Sequence, residues 1–224
     1  FNAVDPKKSY KDDQGHGTHV AGTIAAARDG KGVVGVAPLA SLYAVKVLDA
    51  DGNGNFSDVI AGIEWAAKNK MDVANMSLGS DEGNESLRLA VVAAEKAGVV
   101  IVAAAGNSSG GPVSFPGTYP QTIAVAASDK TDKFAFFSSK GAEVDLIAPG
   151  ADINSTKMDG GYEENSGTSM AAPHVAGLAA LAIASGARGL AQVKRALEAA
   201  SAPLKDLKPE EQGKGLPDAA KLVR

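Results

Sequence analysis

Two stretches, Met71-Asp-Val-Ala-Asn-Met76 and Val99-Val-Ile-Val-Ala-Ala-Ala105, decide the fold. The second is apolar without interruption, as a strand buried on both faces must be. Between them Leu87 to Lys96 carries helical periodicity, and Gly98 stops it. Upstream, Ser41–Leu48 reads as another buried strand, followed by the turn-rich Asp49-Ala-Asp-Gly-Asn-Gly-Asn55. Ser57 then N-caps a helix with Val59, Ile60, Ile63 and Ala67 on one face. Strand, helix, strand, helix, strand predicts parallel pairing through right-handed crossovers, hence helices on both sheet faces.

Downstream, Thr122–Ala127 and Val144–Ala148 extend the sheet. Ser169–Ala184 is apolar nearly all round and reads as a buried helix, while Leu190–Ala200 is amphipathic. Ala202–Gly215 is polar and reads as a surface loop before a short last helix. The expected fold class is α/β: a three-layer, mostly parallel twisted sheet with helices on both faces, in one domain spanning 1–224. Ligands of such sheets sit beyond the carboxyl ends of the strands.

Composition narrows the function. With 22 basic and 26 acidic residues the net charge is -4, which argues against nucleic acid as a partner. No run approaches the ~18 apolar residues of a membrane span. There are no cysteines, so disulfides and thiolate chemistry are excluded. Glycine is frequent at 26 and aromatics scarce at 5%, which suits close packing of small side chains. The chain opens at Phe1 with neither an initiator Met nor a visible signal peptide, and reads as the tail of something longer.

Three short segments carry chemistry. In Ser166-Gly-Thr-Ser-Met-Ala-Ala-Pro-His-Val-Ala-Gly177, Ser169 lies in a turn entering the buried helix. A hydroxyl there is either a helix cap or a nucleophile beside unpaired backbone N–H groups and a positive dipole end. In Gly15-His-Gly-Thr-His-Val-Ala-Gly22, small neighbours let the His16 imidazole stand clear at the start of a helix running to about Ala27. Histidine is the usual base near neutral pH. His19, three residues on, would make a zinc pair only with a third ligand and a Glu base, and neither is evident. In Ala103-Ala-Ala-Gly-Asn107, the Asn107 amide falls at the carboxyl edge of the sheet, where it is either a turn residue of Asn-Ser or a donor that completes an oxyanion hole.

In the order His, Asn, Ser these segments resemble the subtilases, serine endopeptidases of the subtilisin and proteinase K type. The resemblance covers essentially the whole chain. It includes Gly35-Val-Ala-Pro38, Asp58-Val-Ile-Ala-Gly-Ile-Glu-Trp65, Asn75-Met-Ser-Leu-Gly79, Phe136-Phe-Ser-Ser139, Asp145-Leu-Ile-Ala-Pro-Gly150 and Gly213-Lys-Gly-Leu216. It implies that His16 is the general base, that Ser169 is the acylated nucleophile, and that Asn107 with the Ser169 backbone N–H forms the oxyanion hole. It implies that Ser77, Leu78 and Gly79 pair with an extended polypeptide substrate, with Gly52 and Gly54 as the opposing edge. Ala104, Gly106 and Ser114 would line a roomy pocket favouring large apolar residues before the scissile bond. It further implies structural calcium and no organic cofactor: a weak site at Gly117, Tyr119, Thr122 and Asp145, and a tighter one near Asp29. An inhibitory propeptide and an extracellular location belong to the same expectation.

One element of the family pattern is absent. Its acid precedes the His in an Asp-Ser/Thr-Gly motif at the end of an early strand, and nothing before His16 matches. Asp5, Asp12 and Asp13 lie in a polar stretch without a strand leading into them, and none is assigned this role. The acid is expected from a separate N-terminal segment or chain. The alternative is an inactive pseudoprotease that binds extended peptides without cleavage. An esterase of the α/β-hydrolase type would need a Gly-x-Ser-x-Gly elbow, which the chain lacks.

Overall fold

The run Val99–Ala105 is almost wholly excluded from solvent, and the rest of the molecule is arranged around it. The computed structural model describes residues 1–223. In chain order the elements are α1 (His16–Ala25), α2 (Phe56–Lys68), β1 (Val73–Met76), α3 (Glu85–Lys96), β2 (Val100–Ala104), β3 (Thr122–Ser128), β4 (Val144–Pro149), β5 (Ile153–Thr156), β6 (Tyr162–Asn165), α4 (Thr168–Ala184), α5 (Gly189–Ala200), β7 (Ser201–Ala202), α6 (Pro209–Gln212), β8 (Leu216–Pro217) and α7 (Ala219–Leu222).

β1 to β4 form one parallel sheet in the order β1-β2-β3-β4, so each crossover lands beside the strand it left. The alternation of side chains along a strand sorts β2 between two cores. Val100, Val102 and Ala104 pack with Ala171, Ala172, Val175 and Ala179 of α4. Ile101 and Ala103 pack with Val59, Ile63, Leu87 and Val91 of α2 and α3. Burying each Val or Ile contributes about 1.5–3 kcal/mol. That explains why a run without charge must lie centrally, and it fulfils the expectation of helices on both faces.

Three local expectations are corrected. Ser41–Leu48 is not a buried strand. Only Lys46 is bridged, in parallel to Asn2, with Phe1 and Ala44 adding a further bond. Without a second neighbour the rest of the segment makes no ladder, and Leu42 and Tyr43 stand exposed. Ser57 is not the cap of α2: the helix starts one residue earlier, with Asn55 extended at the N-cap position. Ala202–Gly215 is not simply a loop, since it contains α6 and leads into β8. The outer edge of β4 is closed by this region through Lys214 N–H to Asp145 O and Ile147 N–H to Gly215 O. The outer edge of β1 has no strand partner among the described residues.

The hairpin β5–β6 has no counterpart in the sequence reading. It is antiparallel, pairs Ile153 with Asn165 and Thr156 with Tyr162, and packs against α1.

Candidate active site

β2 runs out at Ala104, and the chain turns at Gly106, whose φ of 106° favours a residue without a Cβ. This turn presents Asn107 at the carboxyl end of the sheet, exposed to solvent. The N-terminus of α4 arrives at the same place. Thr168, fully buried, joins the two: its hydroxyl accepts from Gly106 N–H at 3.1 Å and donates to Asn107 Oδ1 at 3.1 Å. Thr168 N–H also donates to Asn107 Oδ1, at 3.0 Å. Both bonds use the oxygen of the amide, so its nitrogen is turned outward. A Cβ built on Gly167 would lie 3.6 Å from Asn107 Nδ2 and 3.7 Å from Ser169 N, so these two donors border one small space. Two N–H donors facing one space are the elements from which an oxyanion hole is built.

Ser169 is half-buried on the first turn of α4. Its hydroxyl donates to Ser77 O at 3.3 Å, and the Ser77 hydroxyl donates in return to Ser169 O at 2.7 Å. The second bond has a sequence cause. Pro173 stands four residues after Ser169 inside α4 and has no N–H, so the Ser169 carbonyl is released from the helix ladder. Ser77 takes it up, and its own hydroxyl accepts from Asn75 Nδ2 at 2.9 Å. The segment that leaves β1 is thereby tied to α4.

His16 is the first residue of α1, half-buried, and α1 packs on α4. Its ring makes no hydrogen bond among the described residues, so the Ser169 proton points to Ser77 and not to the imidazole. Burial lowers the His16 pKa below 6.5, the nearby His19 lowers it further, and Asp12 acts in the opposite direction. Asp12 itself does not reach the ring. Burial raises its carboxyl, but bonds from Gly15 N–H, Thr18 Oγ1–H, Gln14 N–H and Thr18 N–H outweigh that and hold it at about 2. Asp12 is a cap for α1, satisfying N–H groups that no helix can satisfy internally.

The remaining expected residues divide into those near this centre and those apart from it. Gly79, Gly106 and Ser114 are mutually adjacent. A Cβ on Gly79 would sit 3.0 Å from Ser114 Cβ, and one on Gly106 would overlap Ser114 Oγ. Ala104 is buried in the core beneath α4. Leu78 is half-buried and packs against the α2–α3 side. Gly52 lies on the other side, 3.9 Å by its Cβ position from Gln14 Nε2, and Gly54 backs onto Val47 and Leu48.

The residues expected for calcium are otherwise engaged. Asp145 accepts from Ala124 N–H at 3.0 Å and pairs its other oxygen with Lys194. The Thr122 hydroxyl donates into the Tyr119 carbonyl at 2.9 Å, with Gly117 O at 3.4 Å. Asp29 accepts only from Lys31 N–H, in an exposed loop. Among the described residues no three carboxylates or imidazoles converge. Asp145 is the one carboxylate among Gly117, Tyr119, Thr122 and Asp145, so a calcium ion there, which takes six to eight oxygens, would be held mainly by backbone carbonyls. A groove of about 420 Å³ lies away from the centre, lined by Val144, Asp145, Glu198 and Lys214.

Sequence reasoning missed Thr168, although it stands inside the quoted Gly-Thr-Ser turn, and the tie between Ser77 and Pro173. The helix-breaking proline was the available signal.

The fold is a parallel α/β sheet with chemistry-bearing residues at the carboxyl ends of its strands. The profile of the subtilase family matches residues 1–215, and the chain belongs to that family. Among curated proteins it is similar to subtilisin E of Bacillus subtilis, 56% identical over 176 residues, covering 77% of this chain and 46% of that protein. The thermostable alkaline protease of Halalkalibacterium halodurans is 52% identical over 178 residues, covering 80% and 49%. Subtilisin Savinase of Lederbergia lenta is 51% identical over 178 residues, covering 80% and 66%. The chain spans about half the length of the first two.

Proposed function

We propose that this chain is the larger part of a serine endopeptidase working through an acyl-enzyme. The observation that carries the reading is the space bordered by both Asn107 Nδ2 and the backbone N of Ser169, the residue whose hydroxyl would attack. Ser169 Oγ attacks the peptide carbonyl while His16 takes its proton. The oxyanion lies between the Asn107 amide and the Ser169 N–H. His16 then protonates the departing amine, and a water deprotonated by His16 hydrolyses the ester. The substrate is an extended polypeptide laid along Ser77-Leu78-Gly79, with a large apolar residue before the scissile bond.

His16 needs an orienting carboxylate, and no described residue supplies one. We assign it to a strand from an N-terminal segment or chain, seated on the open edge of β1 (Val73–Met76). Val47 joins the same apolar cluster as Ala74 and Met76, so the Leu42–Leu48 segment flanks the same layer and would become the strand's other neighbour. An inhibitory propeptide and secretion accompany this reading. Structural calcium rests on the family resemblance alone. Its test is a change in melting temperature on chelation, with no change weighing against it.

The deciding experiment is labelling of the full protein with a sulfonyl fluoride, followed by peptide mapping. Modification of Ser169, abolished by His16→Ala, is the expected result. The absence of labelling would favour a peptide-binding pseudoprotease. That reading draws on the Ser169 proton pointing to Ser77 and on the unpartnered imidazole.

A further inference from the structure

α1 carries the base, yet little of its own sequence holds it in place. It has ten residues, of which two are glycine and two threonine after His16, and its C-terminus is capped only by backbone. Isolated helices of this length are marginal in water. Asp12 and Gln14 cap its first turn; the other side-chain bonds that reach it from outside come from more than a hundred residues away.

His19 is fully buried, and its Nε2 lies 3.0 Å from Ile153 O and 3.1 Å from Glu163 O, one carbonyl on each strand of the β5–β6 hairpin. Both neighbours are acceptors, so Nε2 carries the proton and bridges the two strands. The same hairpin returns two bonds to α1. Ser155 Oγ donates to His19 O at 2.7 Å, and Thr156 Oγ1 donates to Thr18 O at 2.8 Å. This contact exists because residue 22 is glycine. A Cβ there would overlap Thr156 Oγ1 and stand 2.5 Å from Ser155 Oγ and 3.0 Å from Thr156 Cβ.

We infer that His19, Ser155 and Thr156 are positioning residues: they set the placement of the His16 imidazole by clamping the first turns of α1 to the β5–β6 hairpin. The inference rests on His16 being the base. The clamp grips the backbone of residues 18 and 19, within one turn of His16. A shift there moves the imidazole against Ser169 without touching the segments expected to hold substrate. A misplacement of about 1 Å at a reacting group can cost about 100-fold. Removing one prong should therefore lower kcat by about 10- to 100-fold while KM stays within about twofold.

The test uses the full protein with a chromogenic peptide. Thr156→Val and Ser155→Ala remove one hydroxyl each with little change of volume, and His19→Leu removes the bridging donor. His19→Gln returns an N–H donor at similar reach and should recover most of the kcat lost in His19→Leu. Circular dichroism and melting temperature establish which variants fold, and the hydroxyl variants alone suffice if His19→Leu does not. A loss in kcat without a loss in KM, together with rescue by Gln, supports the clamp. Unchanged kcat in folded Thr156→Val and Ser155→Ala, or equal changes in kcat for Leu and Gln at position 19, overturns it. His16→Ala is the companion control. If it too leaves turnover intact, the failure is that of His16 as base; if it abolishes turnover while the clamp variants do not, only the clamp is wrong.

Discussion

Gly22→Ala isolates the contact between α1 and the hairpin as a stability term, independent of any turnover. In a helix interior Ala is favoured over Gly by about 1 kcal/mol. Against this, the added methyl overlaps Thr156 Oγ1 and stands 2.5 Å from Ser155 Oγ. Overpacking of this kind costs about 1–3 kcal/mol. Displacing the two hydroxyls forfeits their bonds to Thr18 O and His19 O, about 1 kcal/mol each. The balance is a net destabilisation of about 2–4 kcal/mol, or about 5–15 °C in melting temperature for a chain of this size. Measurement in a Ser169→Ala background prevents self-cleavage. Gly17→Ala in the same helix is the control: its Cβ would find only Asp12 Oδ2 at 3.6 Å, so it should be neutral or stabilising by up to about 1 kcal/mol. Combining Gly22→Ala with Ser155→Ala and Thr156→Ala should destabilise less than the sum of the single effects by about 1 kcal/mol or more. A Gly22→Ala protein that melts at or above the wild-type temperature, or strict additivity, would refute the reasoning.

The pH dependence of Ser169 acylation is a second expectation. A base acts above its pKa: burial lowers that of His16 and the carboxylate assigned to the N-terminal segment opposes this, so the rising limb should move down when that carboxylate is replaced by an amide. Asp12→Asn removes a charge that raises it and should also move the limb down; an upward move counts against the assignment. The same substitution should cost about 1 kcal/mol of stability in urea titration, because the carboxylate caps α1. Thr168→Val leaves Gly106 N–H and Asn107 Oδ1 without the hydroxyl between them and should cost about 1–3 kcal/mol in denaturant unfolding. A neutral result would mean that the β2–α4 junction is held elsewhere. Asn107→Ala should lower kcat with little change in KM. Subtilisin's own value for losing this donor is about 10²–10³, and unchanged turnover would remove Asn107 from the oxyanion hole.

The sheet was legible because its strands are buried on both faces and so cannot contain charge. β2 and β3 were read to within a residue or two for that reason. Leu42–Leu48 carried the same apolar signal but failed, because its one neighbour, Phe1–Asn2, bridges Lys46 alone and no second neighbour is among the described residues. The β5–β6 hairpin was invisible for the opposite reason. Tyr162-Glu-Glu-Asn165 has no apolar alternation to reveal a strand, and its pairing is secured by contact with α1. Within the site, Ser169, His16 and Asn107 were recognisable from residue type and neighbours. Thr168 and Ser77 were not assigned the roles they play, since these depend on a bond to a distant chain segment.

The clamp on α1 also orders events in time. Residues 16–25 gain the bonds from the hairpin once 153–165 have formed, well over a hundred residues further along the chain. Contacts so distant in sequence form late, because loop closure must precede any reward. A chain emerging from the ribosome therefore carries an unseated imidazole until most of the sheet is complete. The consequence is a built-in latency: until the hairpin has formed, nothing on its side fixes the His16 imidazole relative to α4.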